Sequence, residues 1–242
     1  GDYIGQFGQS QRALMMLLTI SQVLPLDLLN ACRQQLLISG WQSGKASAGP
    51  LAVSVKHNQQ AIESPAILTL ADQVRQVVSQ HPRFISAVLP LHITRPRFNR
   101  YAEGGHYGLH VDAALMAQSD SPIPMRTDVS MTVFLSNAEE YEGGELTIET
   151  AFGAQQVKLD AGDLVIYPAS SLHQVEPVTR GERLAAFFWA QSIVPDERRR
   201  SVLFDLDESV QALMLRPGGS DPEAVRLSAV YHNLLRQSSQ TN

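Results

Sequence analysis

Tyr107-Gly108-Leu109-His110-Val111-Asp112 and Ser171-Leu172-His173-Gln174-Val175 are the stretches on which the reading of this chain turns. Along an extended strand, side chains alternate, so residues i and i+2 point the same way. His110 and Asp112 therefore reach one point in space from one strand, and Val111 faces the other side. His173 lies far along the chain and joins them only if its strand folds back alongside. Glu176-Pro177-Val178-Thr179-Arg180-Gly181 reads as a turn. Arg183 then opens Arg183-Leu184-Ala185-Ala186-Phe187-Phe188-Trp189, expected as a strand antiparallel to the His173 segment, with the arginine projecting into the same interior.

Two imidazoles and one carboxylate on one face of a metal, with the remaining positions open, form the donor set of non-haem Fe(II) oxygenase centres. His110, Asp112 and His173 supply it and are the candidate catalytic metal ligands. Arg183, ten residues after His173, offers a cation for a dicarboxylate. An H-x-D pair alone is a weak signal. With seven histidines in the chain, a chance match arises about one time in three. The context gives it weight: a glycine-rich lead-in, a third ligand on a later strand, the arginine, and a strand start at Gly143-Gly144-Glu145-Leu146.

Outward from these residues, short β-rich runs alternate with turn signals between Ile85 and Ile193. They cover 86–91, 98–101, 107–111, 128–135, 145–148, 155–159, 164–167, 174–178 and 184–189, a pattern of sandwiches and barrels. Before them, 17–23 reads as a strand. A helix starts at Pro25-Leu26-Asp27, with Leu28, Leu29, Cys32 and Leu36 at helical spacing. A second has Ser64 as N-cap and Pro65 in its first turn, and runs to about Gln80 with Ile67, Leu70, Ala71, Val74, Val77 and Val78 on one face. After the strands come two amphipathic helices, one striped by Leu203, Leu206, Val210, Leu213 and Met214. The other is capped by Asp221 and lined by Leu227, Val230, Tyr231, Leu234 and Leu235.

The chain resembles the Fe(II)- and 2-oxoglutarate-dependent dioxygenases, specifically the bacterial PKHD-type (prolyl/lysyl hydroxylase-like) hydroxylases. The resemblance is carried by Phe98-Asn99-Arg100-Tyr101, Tyr107 to Asp112, Arg126-Thr127-Asp128-Val129-Ser130 and Tyr141-Glu142-Gly143-Gly144-Glu145-Leu146. It continues through Ala161 to Pro168, Leu172 to Arg183 and Tyr231-His232-Asn233-Leu234-Leu235-Arg236. It implies a mainly β fold with flanking helices, a double-stranded β-helix (jelly roll) core and a C-terminal helical segment. It also implies Fe(2+), 2-oxoglutarate held by Arg183 with a contact from Tyr101, and L-ascorbate as a helper. The implied reaction consumes dioxygen, releases succinate and CO2, and hydroxylates a prolyl- or lysyl-like side chain or a small molecule of iron uptake. The expected organisation is a tag or non-native start over 1–15 and an N-terminal strand with buttressing helices over 16–84. The oxygenase core spans 85–194 and the helical segment 195–242.

Composition agrees with a globular enzyme: 44% apolar, 18% charged, net charge −5. With a pI near 5.8, nothing suggests nucleic acid as a partner. The longest early apolar run, Ala13 to Leu18, is too short to span a bilayer. A single cysteine, Cys32, rules out an intrachain disulfide framework, suits a reducing cytoplasm, and reads as buried and inert. Glu197-Arg198-Arg199-Arg200 reads as a solvated helix face. The apolar stripes of the tail must pack on the same chain or on a second copy, which leaves a homodimer open.

Tyr107 lies three residues before His110 and faces away from it on a regular strand. His57, His81, His92, His106 and His232 read as surface or structural. Asp128 and Glu145 read as partners of backbone or sheet-edge donors, Asp163 as a turn residue, and Met125 and Met131 as core or pocket lining. Ala113 to Arg126, polar and proline-broken, is expected to face substrate. Two other classes fit the triad. A non-catalytic metal-binding or sensory jelly roll has no use for Arg183, and zinc-dependent hydrolysis lacks a clear general base.

Overall fold

The computed structural model describes residues 17–47, 53–118, 122–150, 153–216 and 222–240. The expected start over 1–15 and the Asp221 cap lie outside them. The core is two antiparallel sheets. The larger has the order Leu18–Ile20, Leu164–Pro168, Val129–Phe134, Arg183–Ser192, Arg97–Tyr101, Gln59–Ala61, Trp41–Ser43, and Pro90–Ile93 also pairs with Arg183–Ser192. The smaller runs Gly153–Val157, Leu146–Thr150, His173–Val175, His106–His110, Lys56–His57.

Side-chain parity divides the larger sheet between two cores. Val129, Met131, Val133, Ala186, Phe188 and Ala190 pack outward on helices Leu26–Ile38 (α1), Pro65–Gln80 (α2) and Pro82–Val88 (α3). Their neighbours in alternation turn inward, where Tyr101, Phe134, Val165 and Tyr167 meet Leu146, Ile148, Val157 and Val175 of the smaller sheet. Both faces of the larger sheet are covered, which is why Val129–Phe134 is buried at every position. Ser64 caps α2 by accepting from the Ile67 N–H at 3.3 Å, with Pro65 in the first turn, as its sequence predicts.

Helices Glu197–Met214 (α4) and Pro222–Ser238 (α5) dock on the same chain. Leu203 joins Leu89 and Val194, with Tyr231 and Leu235 packed against them. Asp207 accepts from Ser86 Oγ of α3 at 2.6 Å. Of the expected stripes, Met214, Val230 and Leu234 stay exposed. The Arg198–Arg200 run is not wholly solvated. Arg200 is buried and donates from Nη1 to the carbonyls of Val194 and Pro195, holding the turn that launches α4.

Two local expectations fail. Residues 86–88 end α3 rather than begin a strand. Leu89 turns left-handed with φ 47° and donates to the Ile85 carbonyl, so the strand starts at Pro90. Val178–Gly181, expected as a turn, is itself a strand paired with Tyr141–Gly143. Gly143, at φ +70°, passes so close that a Cβ would lie 2.0 Å from the Pro177 carbonyl oxygen.

Candidate active site

The strand carrying Arg183 does not pair with the His173 strand. It lies in the larger sheet, between Val129–Phe134 and Arg97–Tyr101, because the extra Val178–Gly181 strand carries the chain across to the other sheet. Arg183 thus enters the interior from the wall opposite the histidines. Period-2 alternation then places Arg183, Phe187 and Trp189 on one inward face, and all three line a cavity of about 480 Å³. That volume is of the size that takes a small molecule. Tyr101, directly opposite Arg183 in register, lines it too.

His173 and His110 are register partners across the smaller sheet. Asp112 lies just past the end of the His106–His110 strand. One ligand atom from each of the three residues lies within 4.8 Å of the other two. Each histidine turns Nδ1 to a carbonyl two residues back: His110 to Gly108 at 2.8 Å, His173 to Ser171 at 3.0 Å. With Nδ1 so occupied, Nε2 is the donor left for a metal, and both Nε2 atoms stand 3.9 Å from Asp112 Oδ1. The other carboxylate oxygen, Oδ2, is tied down by Ser130 Oγ and by Trp189 Nε1, the latter at 2.9 Å. One oxygen is anchored and one is presented, so the carboxylate's orientation is fixed. Burial, with the His173 charge next, pushes the His110 imidazolium down to about 4. The imidazole is therefore neutral at ordinary pH, as ligation requires.

The donor set suits a divalent iron: two imidazoles and one carboxylate converging in a cavity, with no thiolate. The dicarboxylate partner has its own test. Arg183 is 1% exposed, with its guanidinium 5.3 Å from the Tyr101 ring and 5.0 Å from the Phe134 ring. It forms no ion pair among the described residues, and its Nε has no hydrogen-bond partner there. A buried cation without a carboxylate is costly, and an anion entering the cavity meets that need. Gly144 keeps the space beside it: a Cβ would come within 2.9 Å of Val178 and 3.2 Å of Arg183 Cδ.

Several residues of the site carried no sequence signal read as functional. Tyr107 does not face away from His110; their rings stack at 3.5 Å with a 17° tilt. The cause is a register shift: His173 pairs with His110 but Val175 with Tyr107, so four residues on one strand lie opposite three on the other. Ser130 and Trp189 were visible only as strand residues, yet the polar residues at 130 and 132 in an otherwise apolar strand, and the i+6 parity of Trp189 with Arg183, mark the inward face. Tyr167 packs edge-on to His173 at 5.1 Å. Lys56, on the edge strand beside Tyr107, lines the cavity. Asp128 holds Arg126 through both oxygens and accepts from the Ser192 N–H at 2.8 Å. It fixes the base of a hairpin, Leu115–Met116 with Met125–Arg126. Ala113 and Met116 of that segment line the cavity, while Ser119 to Ser121 lie outside the described residues.

A twisted two-sheet barrel with these groups facing inward defines the class. Residues 96–191 match the model of the 2OG-Fe(II) oxygenase superfamily, and 196–240 match the PKHD-type hydroxylase C-terminal domain. The chain is 52% identical over 223 residues to a PKHD-type hydroxylase of Acidovorax ebreus, covering 92% of this chain and 98% of that one. It is 48% identical to a PKHD-type hydroxylase of Saccharophagus degradans, covering 93% of this chain and 100% of the relative. The chain belongs to the PKHD-type hydroxylase family, and is an enzyme of the 2OG-Fe(II) oxygenase superfamily. Among solved structures, HygX from Streptomyces hygroscopicus with nickel and 2-oxoglutarate bound shares the fold. That match has a TM-score of 0.51 at 13% identity, over 72% of this chain and 82% of that one. No helix among the described residues is long and apolar enough to cross a membrane.

Proposed function

We propose that His110, Asp112 and His173 hold Fe(II), that Arg183 holds the distal carboxylate of 2-oxoglutarate with Tyr101 beside it, and that the enzyme hydroxylates an organic substrate while releasing succinate and CO2. One observation carries the reading: the triad and a buried arginine without a carboxylate face each other across one cavity. Bound iron supplies the dioxygen chemistry, and ascorbate serves to return oxidised iron to the ferrous state.

The chain's own residues do the positioning. Asp112, clamped by Ser130 and Trp189, presents a single oxygen. The Nδ1 hydrogen bonds set the tautomer and ring angle of both histidines. Arg183 pairs with a carboxylate end-on or in bidentate fashion, and burial among Tyr101, Phe134 and Tyr141 strengthens that pair by excluding water. The substrate enters on the side of the paired strands Leu115–Met116 and Met125–Arg126. The substrate classes to test are prolyl or lysyl side chains in peptides and small molecules of iron uptake, in a reducing cytoplasmic setting.

The test is an oxygen-consumption screen with Fe(II), 2-oxoglutarate and members of both classes, followed by mass analysis. A substrate that gains one oxygen atom in step with succinate formation supports the proposal. Oxygen uptake independent of 2-oxoglutarate overturns it.

A further inference from the structure

The strand Arg97–Tyr101 turns Phe98 into the outer core and lines the cavity with Asn99 and Tyr101. Asn99 is 6% exposed, and its Oδ1 is buried without a hydrogen-bond partner among the described residues. The neighbouring strands do not supply one. Across the sheet its register partner is Ala185, and beyond Ala185 stands Phe134; neither side chain has a polar atom. On the other flank, its register partner Gln60 has an interaction of its own. An unmatched amide in a buried wall is costly to keep, and an apolar residue in its place would carry no such cost.

The position of this amide along the wall is informative. Arg183, Ala185, Phe187 and Trp189 follow one another on the inward face of their strand, with Tyr101 opposite Arg183 and Asn99 opposite Ala185. Asn99 thus stands one step, about 7 Å of strand, from the Arg183 level toward the Trp189 level. Trp189 and its register partner Ser130 are the residues that anchor Asp112. The amide lies between the cation that takes a distal carboxylate and the wall that holds the metal ligand. Ala185, the smallest side chain on that inward face, leaves room beside it. A carboxamide turned about its last bond offers either an oxygen or an NH2 group. Beside a buried arginine, in a cavity that receives an anion, the NH2 group is the one a ligand oxygen would draw in.

We infer that Asn99 is a further cosubstrate-binding residue, its Nδ2 donating to a 2-oxoglutarate oxygen on the metal side of the carboxylate that Arg183 holds. This rests on the oxygenase reading of the cavity. Tyr101 and Asn99, two residues apart on one strand, then form one edge of the cosubstrate site, and Arg183 on the adjacent strand forms its end. The ligand supplies the partner that the sheet leaves out, and the amide fixes how the cosubstrate lies between arginine and metal.

The experiment is calorimetric titration of 2-oxoglutarate into Zn(II)-loaded wild type, Asn99→Leu and Asn99→Asp, with Zn(II) affinity measured alongside by competition with a metal indicator. Leucine keeps the approximate shape and removes the donor, so affinity for 2-oxoglutarate should fall roughly 10- to 100-fold. Aspartate keeps the shape and places a like charge beside the ligand, so it should bind more weakly than the leucine variant. Zn(II) affinity should be unchanged in both. Equal 2-oxoglutarate affinity in wild type and Asn99→Leu, or a loss matched by an equal loss of Zn(II) affinity, overturns the inference. A second readout needs no variant: a crystal structure of wild type with Zn(II) and 2-oxoglutarate should show Asn99 Nδ2 within about 3.2 Å of a cosubstrate oxygen. Occupied 2-oxoglutarate with no such contact refutes the assignment. Two failures are separable. If Asn99→Leu binds 2-oxoglutarate like wild type while Arg183→Met does not, only the role of Asn99 falls. If Zn(II)-loaded wild type binds no 2-oxoglutarate at all, the oxygenase reading falls and takes this inference with it.

Discussion

Arg183→Met separates a ligand-binding arginine from a packing one. Methionine keeps most of the stem that packs against Tyr101 and Phe134 and removes the charge. In the wild type Arg183 is 1% exposed and its guanidinium has no carboxylate among the described residues. Two charge-assisted hydrogen bonds to a bound carboxylate are worth about 1.5–3 kcal/mol each. Losing both costs about 3–6 kcal/mol, or roughly 10²- to 10⁴-fold in affinity. The ligand-free fold should respond the other way. Removing a buried cation that lacks an anion relieves a desolvation cost, so its melting temperature should hold or rise. The assay is calorimetric titration of 2-oxoglutarate into the Zn(II)-loaded protein, paired with thermal melts without ligand. Unchanged 2-oxoglutarate affinity together with a lowered melting temperature would refute the reasoning and make Arg183 a packing residue.

Trp189→Phe removes the 2.9 Å hydrogen bond that anchors Asp112 Oδ2 and should weaken Fe(II) binding by about 10- to 100-fold; competition with a metal indicator measures it, and wild-type affinity would show that Ser130 alone suffices. Burial pushes the Lys56 ammonium down from 10.5 to about 8, with Asp112 opposing the shift and Arg97 adding to it. Between those values the unfolded chain binds the extra proton, so this group makes stability rise with pH through that window and leaves it flat below. Denaturant midpoints on both sides of the window should show the rise in wild type but not in Lys56→Met; the same rise in both would mean another group is responsible. Burial pushes the Cys32 thiol up to about 12, so a thiol reagent should label the native protein only after unfolding, and rapid native labelling would contradict the helix packing.

The legible parts of this molecule are those where local rules and the fold agree. The α2 helix announced itself through Ser64, Pro65 and a stripe that proved to be its buried face. The H-x-D spacing placed His110 and Asp112 on one side because alternation is local. What sequence could not show was which strand pairs with which. Arg183 was expected beside His173, yet it arrives from the opposite sheet, since Val178–Gly181 pairs with Tyr141–Gly143 and carries the chain across. The stacking of Tyr107 on His110 needed a register shift that only the pairing partner reveals. Lys56 is nearer still to illegible. It sits on a two-residue edge strand far from the motifs, and only three-dimensional proximity makes it part of the site.

The central claim is that the triad supports 2-oxoglutarate-dependent oxygen chemistry. The most direct measurement is succinate formation from 2-oxoglutarate by wild type and His173→Ala, with Fe(II), 2-oxoglutarate and dioxygen supplied together and each omitted in turn. Wild type should form succinate only when all three are present, should fail with Zn(II) in place of Fe(II), and should lose the activity in His173→Ala while that variant stays folded. Succinate formation that persists undiminished in His173→Ala, or that needs neither iron nor dioxygen, would contradict the account.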